Sequence, residues 1–385
     1  MQPAARIAAA IELLDEILDG APAERSLTAW ARRSRFAGSK DRNAIRDYVY
    51  DALRCRRSFA ALGGAETGRG LMIGALKAQG APLDDLFNGI GHAPSPLTKT
   101  ERATPLLETL PAAVRLDCPD WLMPMFETDL EAQAEPALMA LRERAPIFLR
   151  VNTLKADVAT ALNSLASDDI EAKRIEGIET ALVVTANERR IRASTAFESG
   201  LVELQDASSQ AAVHRLAGQG AALDYCAGGG GKSLALAAMG YSVTAHDIDP
   251  RRMGDLPARS QRAGATVDLR SPDDLGDGEY DLVLADAPCS GSGTWRRTPD
   301  AKWRLTPQRL EDLTRIQADV IRSAAAYVAP SGRLAYATCS VFSCENDAIV
   351  DAFCSEGRWQ VIDRMKLVPS ERGDGFYLAI LERNV

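Results

Sequence analysis

The stretch A-L-D-Y-C-A-G-G-G-G-K-S at residues 222–233 constrains this chain more than any other. An apolar run ends in four consecutive glycines and passes into L-A-L-A-A-M-G, a helical sequence. Glycines at a strand–helix turn let backbone approach a ligand closely, and the helix N-terminus that follows favours negative groups. From about residue 203 onward, short apolar runs at 222–227, 242–247, 280–287, 333–339 and 376–382 alternate with helical segments. That alternation predicts an α/β domain, a Rossmann-like, mostly parallel sheet covered on both faces. L-V-L-A-D-A-P (282–288) is nearly continuous in apolar residues, as a doubly buried strand should be. In open sheets of this kind ligands sit at the carboxyl ends of the strands.

The chain ahead of this region reads differently. Ile7, Ile11, Leu14 and Leu18 recur at helical spacing, closed by Gly20 and Pro22. Residues 27–62 also read as helical, interrupted afterwards by Gly63, Gly64, Gly68 and Gly70, and 89–98 reads as a loop. Residues 1–112 are therefore expected to form an all-helical domain. A helical stretch at 119–144 and strands at 147–154, 180–185 and 201–204 predict a small α+β domain over 113–202, which leaves 203–385 for the sheet.

The net charge of −8 excludes a protein that coats nucleic acid indiscriminately. Locally the balance reverses: residues 25–60 hold ten Lys/Arg against three Asp/Glu. Arg296, Arg297, Lys302, Arg304 and Arg309 form a second basic cluster. Each cluster reads either as a solvated helix face or as a place for phosphates.

The seven cysteines are odd in number and contain no C-x-x-C pair, and His92, His214 and His246 lie far apart, so no structural zinc site is expected. Free thiols in a long chain point to a reducing compartment. Glu12, Asp15 and Glu16 break the N-terminal apolar stretch, which argues against a signal peptide, and no apolar run reaches membrane-spanning length. A cytoplasmic monomer with no membrane association is expected.

Two ligand classes compete for the glycine turn. Gly231, Lys232 and Ser233 match the end of a P-loop, but Cys226 stands where its first glycine must turn the chain, and LVLAD (282–286) would have to act as the aspartate strand of an ATPase. A nucleoside cofactor is the other reading. It draws on Asp247, which ends the next strand 19 residues after Gly228, the spacing at which a carboxylate accepts from ribose hydroxyls. A helix cap ahead of Pro250 is the plainer role for that aspartate.

D-A-P-C-S-G (286–291) and A-T-C-S (337–340) each place a cysteine at the carboxyl end of a core strand, on the edge that carries the glycines. The strands bearing Asp286 and Cys339 are expected to be neighbours, so that Cys289 and Cys339 face the reactive end of a cofactor. Thiols suit one chemistry in particular. Carbon 5 of cytosine is a poor nucleophile until a thiolate adds to carbon 6, with a carboxylic acid such as Asp286 managing the ring-nitrogen proton. For Cys55, Cys118, Cys344 and Cys354 core filling is the reading adopted.

These motifs resemble the RNA (cytosine-5)-methyltransferases of the NOL1/NOP2/Sun family. DYCAGGGGK, HDID, DAPCSGSGTWRRTPDAKW and YATCSVFSCEN carry the resemblance, with RVNTLK (150–155), LQDASSQ (204–210) and GDGFYLAILER (373–383) extending it. It implies an S-adenosylmethionine methyltransferase sheet. Cys339 would be the nucleophile, Cys289 would help release product, and Asp286 would lie near cytosine and cofactor. Cys226, Ala227, Gly228, Gly229, Gly230, Gly231, Lys232, Asp247 and Asp286 would hold the cofactor. DRNAIRDYVYDALR (41–54) resembles the NusB-like RNA-binding domain of the family's bacterial small-subunit branch, and the middle domain its RNA-recognition-like module. The implied substrate is RNA, 16S ribosomal RNA first and transfer RNA second. A non-catalytic RNA assembly factor stays open beside it.

The chain departs from the family pattern twice. Gly228 and Gly229 stand where the family usually has Ala and Pro, which predicts a looser loop. Ser271, with Asp273 and Asp274 nearby, stands where an aspartate usually meets the adenine, so that contact is not assigned.

Overall fold

The computed structural model describes residues 1–271, 274–275 and 280–384. The chain divides into two compact units. One comprises Met1–Arg144 and Trp295–Leu305, the other Ala145–Thr294 and Thr306–Val385. Among the described residues no helix is long and apolar enough to cross a membrane.

The first unit is helical, with Pro3–Leu18, Ala23–Arg33, Ser39–Arg54, Arg56–Gly63 and Gly68–Ala78 as its main helices. Ile7 and Leu14 of the expected stripe are fully buried, and Ala10, Leu13 and Ile17 widen it. The single helical stretch expected over 27–62 is broken twice, at Ser34–Gly38 and at Cys55. Gly38 caps the restart, its N–H bonded to the Asp41 side chain at 3.3 Å.

The glycines that follow are only partly interruptions. Gly64 ends a helix in the left-handed region (φ +86°). Gly70 and Gly74 instead lie inside the next helix, where a Cβ on Gly74 would fall on the Phe59 backbone and one on Gly63 on the Gly70 carbonyl. They let two helices touch through their backbones. The stretch at 119–144 is likewise two helices, Met123–Leu130 and Ala134–Arg142, parted at Glu131, whose φ is +49°.

Trp295–Leu305 corrects the reading of the second basic cluster as a solvated face for Arg296 and Lys302, whereas Arg304 and Arg309 are exposed as that reading expects. Trp295, Arg296 and Lys302 are buried. Lys302 Nζ donates to the Asp117 carbonyl at 2.6 Å and lies 4.6 Å from the Trp303 ring centre. Arg54 Nε donates to the Arg296 carbonyl at 2.7 Å, and Trp303 Nε1 to that of Leu53 at 2.7 Å. Carbonyl acceptors, not water, satisfy these donors, and burial pulls the Lys302 pKa down.

Asp117 sits at the centre of the same interior. Its carboxylate accepts from Ser58 N and Ser58 Oγ, each at 2.8 Å, and from Arg142 Nε at 2.7 Å. Asp117→Ala strands a partly buried guanidinium together with a buried amide and hydroxyl, and should cost about 3 kcal/mol. Chemical denaturation that showed a loss below about 1 kcal/mol would contradict this network's role.

The second unit holds two sheets. The smaller contains β1 (Phe148–Val151), β2 (Glu171–Ile175), β3 (Ile178–Ala186) and β4 (Val202–Leu204) in the order β2-β3-β1-β4, all antiparallel. Leu149, Val151, Leu165, Leu182 and Val202 form its core. β2 was not expected: Glu171-Ala-Lys-Arg-Ile is an edge strand with polar side chains outward, and such a segment has no apolar face to announce it.

The larger sheet contains β5 (Gly220–Asp224), β6 (Tyr241–His246), β7 (Val267–Arg270), β8 (Tyr280–Asp286), β9 (Val328–Thr338), β10 (Trp359–Leu367) and β11 (Phe376–Arg383). Their order is β10-β11-β9-β8-β5-β6-β7. From β7 to β9 neighbours are parallel, and β11 is antiparallel to both β9 and β10. The expected Rossmann-like sheet is present. β7 and β10, both at its edges, escaped the apolar-run criterion. The chain order reverses at β5, which pairs with β6 on one side and β8 on the other, so the glycine turn leaves the sheet at its switch point.

Candidate active site

β5 stops at Asp224, three residues short of the predicted run, yet its backbone stays engaged. Tyr225 N donates to the Leu284 carbonyl and Ala227 N to that of His246, each at 2.8 Å. These bonds carry the chain between β8 and β6 into the glycine turn. Gly228 and Gly230 there take φ values of +51° and +77°, and the helix Gly231–Ala238 follows. Gly228 N donates to Asp247 Oδ2 at 3.0 Å, Gly230 N donates to the Ala227 carbonyl at 2.8 Å, and Arg259 donates to the Gly229 carbonyl. The four-glycine loop is thus tied down at three successive residues.

Gly230 tolerates nothing larger. Its φ is left-handed, and a Cβ would fall inside the Leu256 side chain. Gly229 faces only the mobile end of Arg259. Gly230→Ala should therefore lose about 2–4 kcal/mol in chemical denaturation, while Gly229→Ala stays within about 1 kcal/mol of the parent. Equal losses from the two variants would refute the assignment.

Asp247 is almost fully buried beside this loop. Besides Gly228 it accepts from Asp249 N at 3.0 Å, and the Arg252 guanidinium lies 3.0 Å away. Its plainer expected role, a cap, passes to Asp249, which accepts from Arg251 N at 3.2 Å. Two buried polar atoms flank the turn without a partner among the described residues: Asp224 Oδ1 and His246 Nε2. Asp224 Oδ2 accepts from Ser233 Oγ at 2.6 Å, and burial pushes its carboxyl up to about 6. The His246 ring stacks on Tyr225 with centres 4.8 Å apart. A glycine turn without side chains to hold a ligand off, an acid at the next strand end and unspent polar atoms beside both fit a nucleoside cofactor.

Ser271 follows directly on β7, and its hydroxyl donates to Asp274 Oδ2 at 2.5 Å. Asp273 lies outside the described residues.

Beyond the loop the charges are paired. Lys232 Nζ donates to Asp286 Oδ2 at 2.6 Å and lies 5.1 Å from the Phe376 ring centre. Burial pulls the Lys232 pKa down and Asp286 outweighs it, so the ammonium stays charged.

β8 and β9 are neighbours, with Asp286 opposite Ala337. Their ends bring Cys289 Sγ to 3.3 Å from Cys339 Sγ, both half-buried. Thr294 Oγ1 lies 3.9 Å from the Cys339 sulfur. The two thiols are polarised in opposite directions. The hydrogen bond from Cys289 lowers the Cys339 pKa, assisted by Lys232 and Thr294 against burial and Asp286. That same bond raises Cys289, with burial and the charges of Cys339 and Glu345 adding to it. The pair is thus biased toward the proton on Cys289 and negative charge on Cys339. Cys55 and Cys118, by contrast, are buried in the first unit and pushed up to about 12 by that burial.

A sheet of this order, with a glycine turn and an acid at its switch point, defines an S-adenosylmethionine-dependent methyltransferase. Residues 213–372 match the family described as 16S rRNA methyltransferase RsmB/F, and residues 118–190 match its ferredoxin-like domain. The chain is 32% identical over 329 residues to ribosomal RNA small subunit methyltransferase B of Yersinia pseudotuberculosis, an alignment covering 80% of this chain and 75% of the relative. The crystal structure of PH0851 superposes with a TM-score of 0.76 at 23% identity, covering 99% of each chain. NSun6 of Pyrococcus horikoshii, solved with the S-adenosylmethionine analogue SFG, gives 0.61 at 18% identity over 69% of this chain and 98% of its own. The chain belongs to the RsmB/F methyltransferase family, within the NOL1/NOP2/Sun group that its motifs resemble. That membership sets aside the P-loop reading.

Sequence reasoning passed over several residues that the structure brings here. Asp224 sat in plain view two residues before Cys226, where its burial did not show. Thr294, Phe376, Gln317 and Glu345 lie far apart in the chain, and the order of β8, β9 and β11 with the helix Pro307–Ala325 brings each to a partner here: Cys339 for Thr294, Lys232 for Phe376, and one another for Gln317 and Glu345.

Proposed function

We propose that the protein transfers a methyl group from S-adenosylmethionine to carbon 5 of a cytosine in RNA, through a transient bond between Cys339 and carbon 6. The target is 16S ribosomal RNA, with transfer RNA as the alternative. Two cysteine sulfurs 3.3 Å apart at the ends of adjacent strands, on the sheet edge that carries the glycine turn, carry this reading.

S-adenosylmethionine supplies an electrophilic methyl group on a sulfonium. Residues 226–232 and Asp247 would hold its nucleoside, the Asp247 carboxylate suiting the ribose hydroxyls. The Cys339 thiolate adds to carbon 6 of the cytosine, and Asp286 manages the ring-nitrogen proton. Carbon 5, now enamine-like, attacks the methyl carbon. A base then takes the carbon 5 proton, the carbon 6–sulfur bond breaks and Cys339 leaves as thiolate, aided by Cys289. The target base has to leave its stack to reach the cysteines.

Three functional parts follow: 1–112 as a NusB-like RNA-binding domain, 113–202 as an RNA-recognition-like module and 203–385 as the catalytic part. Within the first, Arg32, Arg35, Arg42 and Arg46 line one groove between two helices. Arg46 pairs with Glu24, whereas Arg32, Arg35 and Arg42 have no carboxylate partner among the described residues. Such a groove suits a phosphate backbone, which positions RNA without reading its sequence.

The test is methyl transfer from labelled S-adenosylmethionine to 16S ribosomal RNA and to transfer RNA, each lacking prior modification. Label recovered as 5-methylcytidine from the ribosomal pool is expected. Label at another atom would overturn the chemistry; label in transfer RNA alone would move the substrate. Cofactor binding without turnover on either would favour an assembly factor.

A further inference from the structure

Beneath the two cysteine-bearing turns lies a carboxylate that the mechanism above does not use. Glu345 is completely buried. One carboxylate oxygen accepts from Ser290 N at 2.7 Å and from Gln317 Nε2 at 3.0 Å, the other from Ser290 Oγ at 2.5 Å and from Ser340 Oγ. Ser290 directly follows Cys289, and Ser340 directly follows Cys339. Gln317 Nε2 also donates to the Pro288 carbonyl at 2.9 Å, on the other side of Cys289. The Glu345 backbone is fixed in turn, its carbonyl accepting from Tyr336 Oη of β9 at 2.7 Å. A side chain this deep, with every donor drawn from the two turns or from the helix Pro307–Ala325 behind them, serves geometry rather than solvent contact.

We propose that Glu345 is a positioning residue that clamps the turn after β8 to the turn after β9 and so sets the spacing of Cys289 and Cys339. The proposal rests on the reading of those cysteines given above. Its charge has a second consequence. Two of the turn donors to Glu345, Ser290 N and Ser290 Oγ, come from the residue after Cys289 and one, Ser340 Oγ, from the residue after Cys339, so its charge favours the proton on Cys289, while Lys232 favours the thiolate on Cys339. Asp286 opposes that thiolate and is offset by its bond to Lys232. The carboxylate therefore sorts the two thiols into donor and nucleophile as well as spacing them.

Two variants of the full chain test this. Glu345→Gln keeps the size and removes the charge; Glu345→Asp keeps the charge and withdraws it from the turns by about one carbon–carbon bond. Alkylation by iodoacetamide across pH, resolved by peptide mass, reads each thiol separately. Glu345→Gln should lower the Cys339-to-Cys289 labelling ratio at neutral pH by about threefold or more. Glu345→Asp should keep that ratio, and both should lower kcat about 10- to 100-fold with the KM for S-adenosylmethionine unchanged. An unchanged labelling ratio in Glu345→Gln, or parental kcat in both variants, overturns the proposal. If Glu345→Gln fails to bind S-adenosylmethionine, Glu345→Asp alone decides through its kcat. A fully active Cys339→Ala would sink the underlying reading instead, a result these measurements do not mimic.

Discussion

Cys339→Ala is expected to lower methyl transfer by about 10⁴-fold or more, and to abolish covalent capture of RNA. The size of the effect follows from what the sulfur does. Without addition at carbon 6, carbon 5 of cytosine has no enamine character, and proximity to the methyl donor alone accelerates little. Nothing else in the site replaces it. On the proposed assignment Cys289, 3.3 Å away, carries the proton: its contact with Cys339, burial and the Glu345 charge all push its thiol up. Losing that partner frees Cys289 from the bond but not from the carboxylate behind it. The check uses RNA carrying 5-fluorocytidine, which has no carbon 5 proton to lose and holds the adduct in place. The parent should shift to a protein–RNA species on a denaturing gel and Cys339→Ala should not, although S-adenosylmethionine still binds. Full activity in the variant would transfer the nucleophile's role elsewhere.

The features legible in the sequence were those that repeat locally or cluster. The glycine turn, Asp247 and the two cysteine motifs all lie on strand ends that apolar runs marked out, and the parallel order of β8 and β9 brought the cysteines together as expected. Edge strands were a different matter. β2, β7 and β10 carry polar residues on exposed positions, so no apolar run distinguishes them from loops. Charge was the weakest guide. Arg296 and Lys302 read as part of a surface cluster, but their fate is decided by the carbonyls of Asp117 and by Arg54, nearly two hundred or more positions away in the chain. Glu345 lies in S-C-E-N (343–346), where nothing local marks its role. Its role depends on Ser290 and Gln317, and only the adjacency of two strands and a helix brings them to it.

Cys289→Ala should fail in the opposite way from Cys339→Ala: one methyl group per enzyme is transferred, then turnover falls by about 10²-fold or more while a covalent protein–RNA species accumulates. The asymmetry comes from what each step asks of the Cys339 sulfur. When carbon 6 releases Cys339, negative charge grows on a half-buried sulfur, and the S–H of Cys289 is the donor that lies against it. Thr294, at 3.9 Å, is too distant to take over at full strength. Addition consumes the thiolate that this donor stabilises, whereas release must regenerate it, so losing the donor slows release more than addition. Rapid quench of a single turnover should therefore show a burst near one equivalent of methylated RNA, bound to protein and freed by digestion of the polypeptide. Slow turnover without adduct would place Cys289 ahead of methyl transfer, and parental turnover would remove it from the reaction.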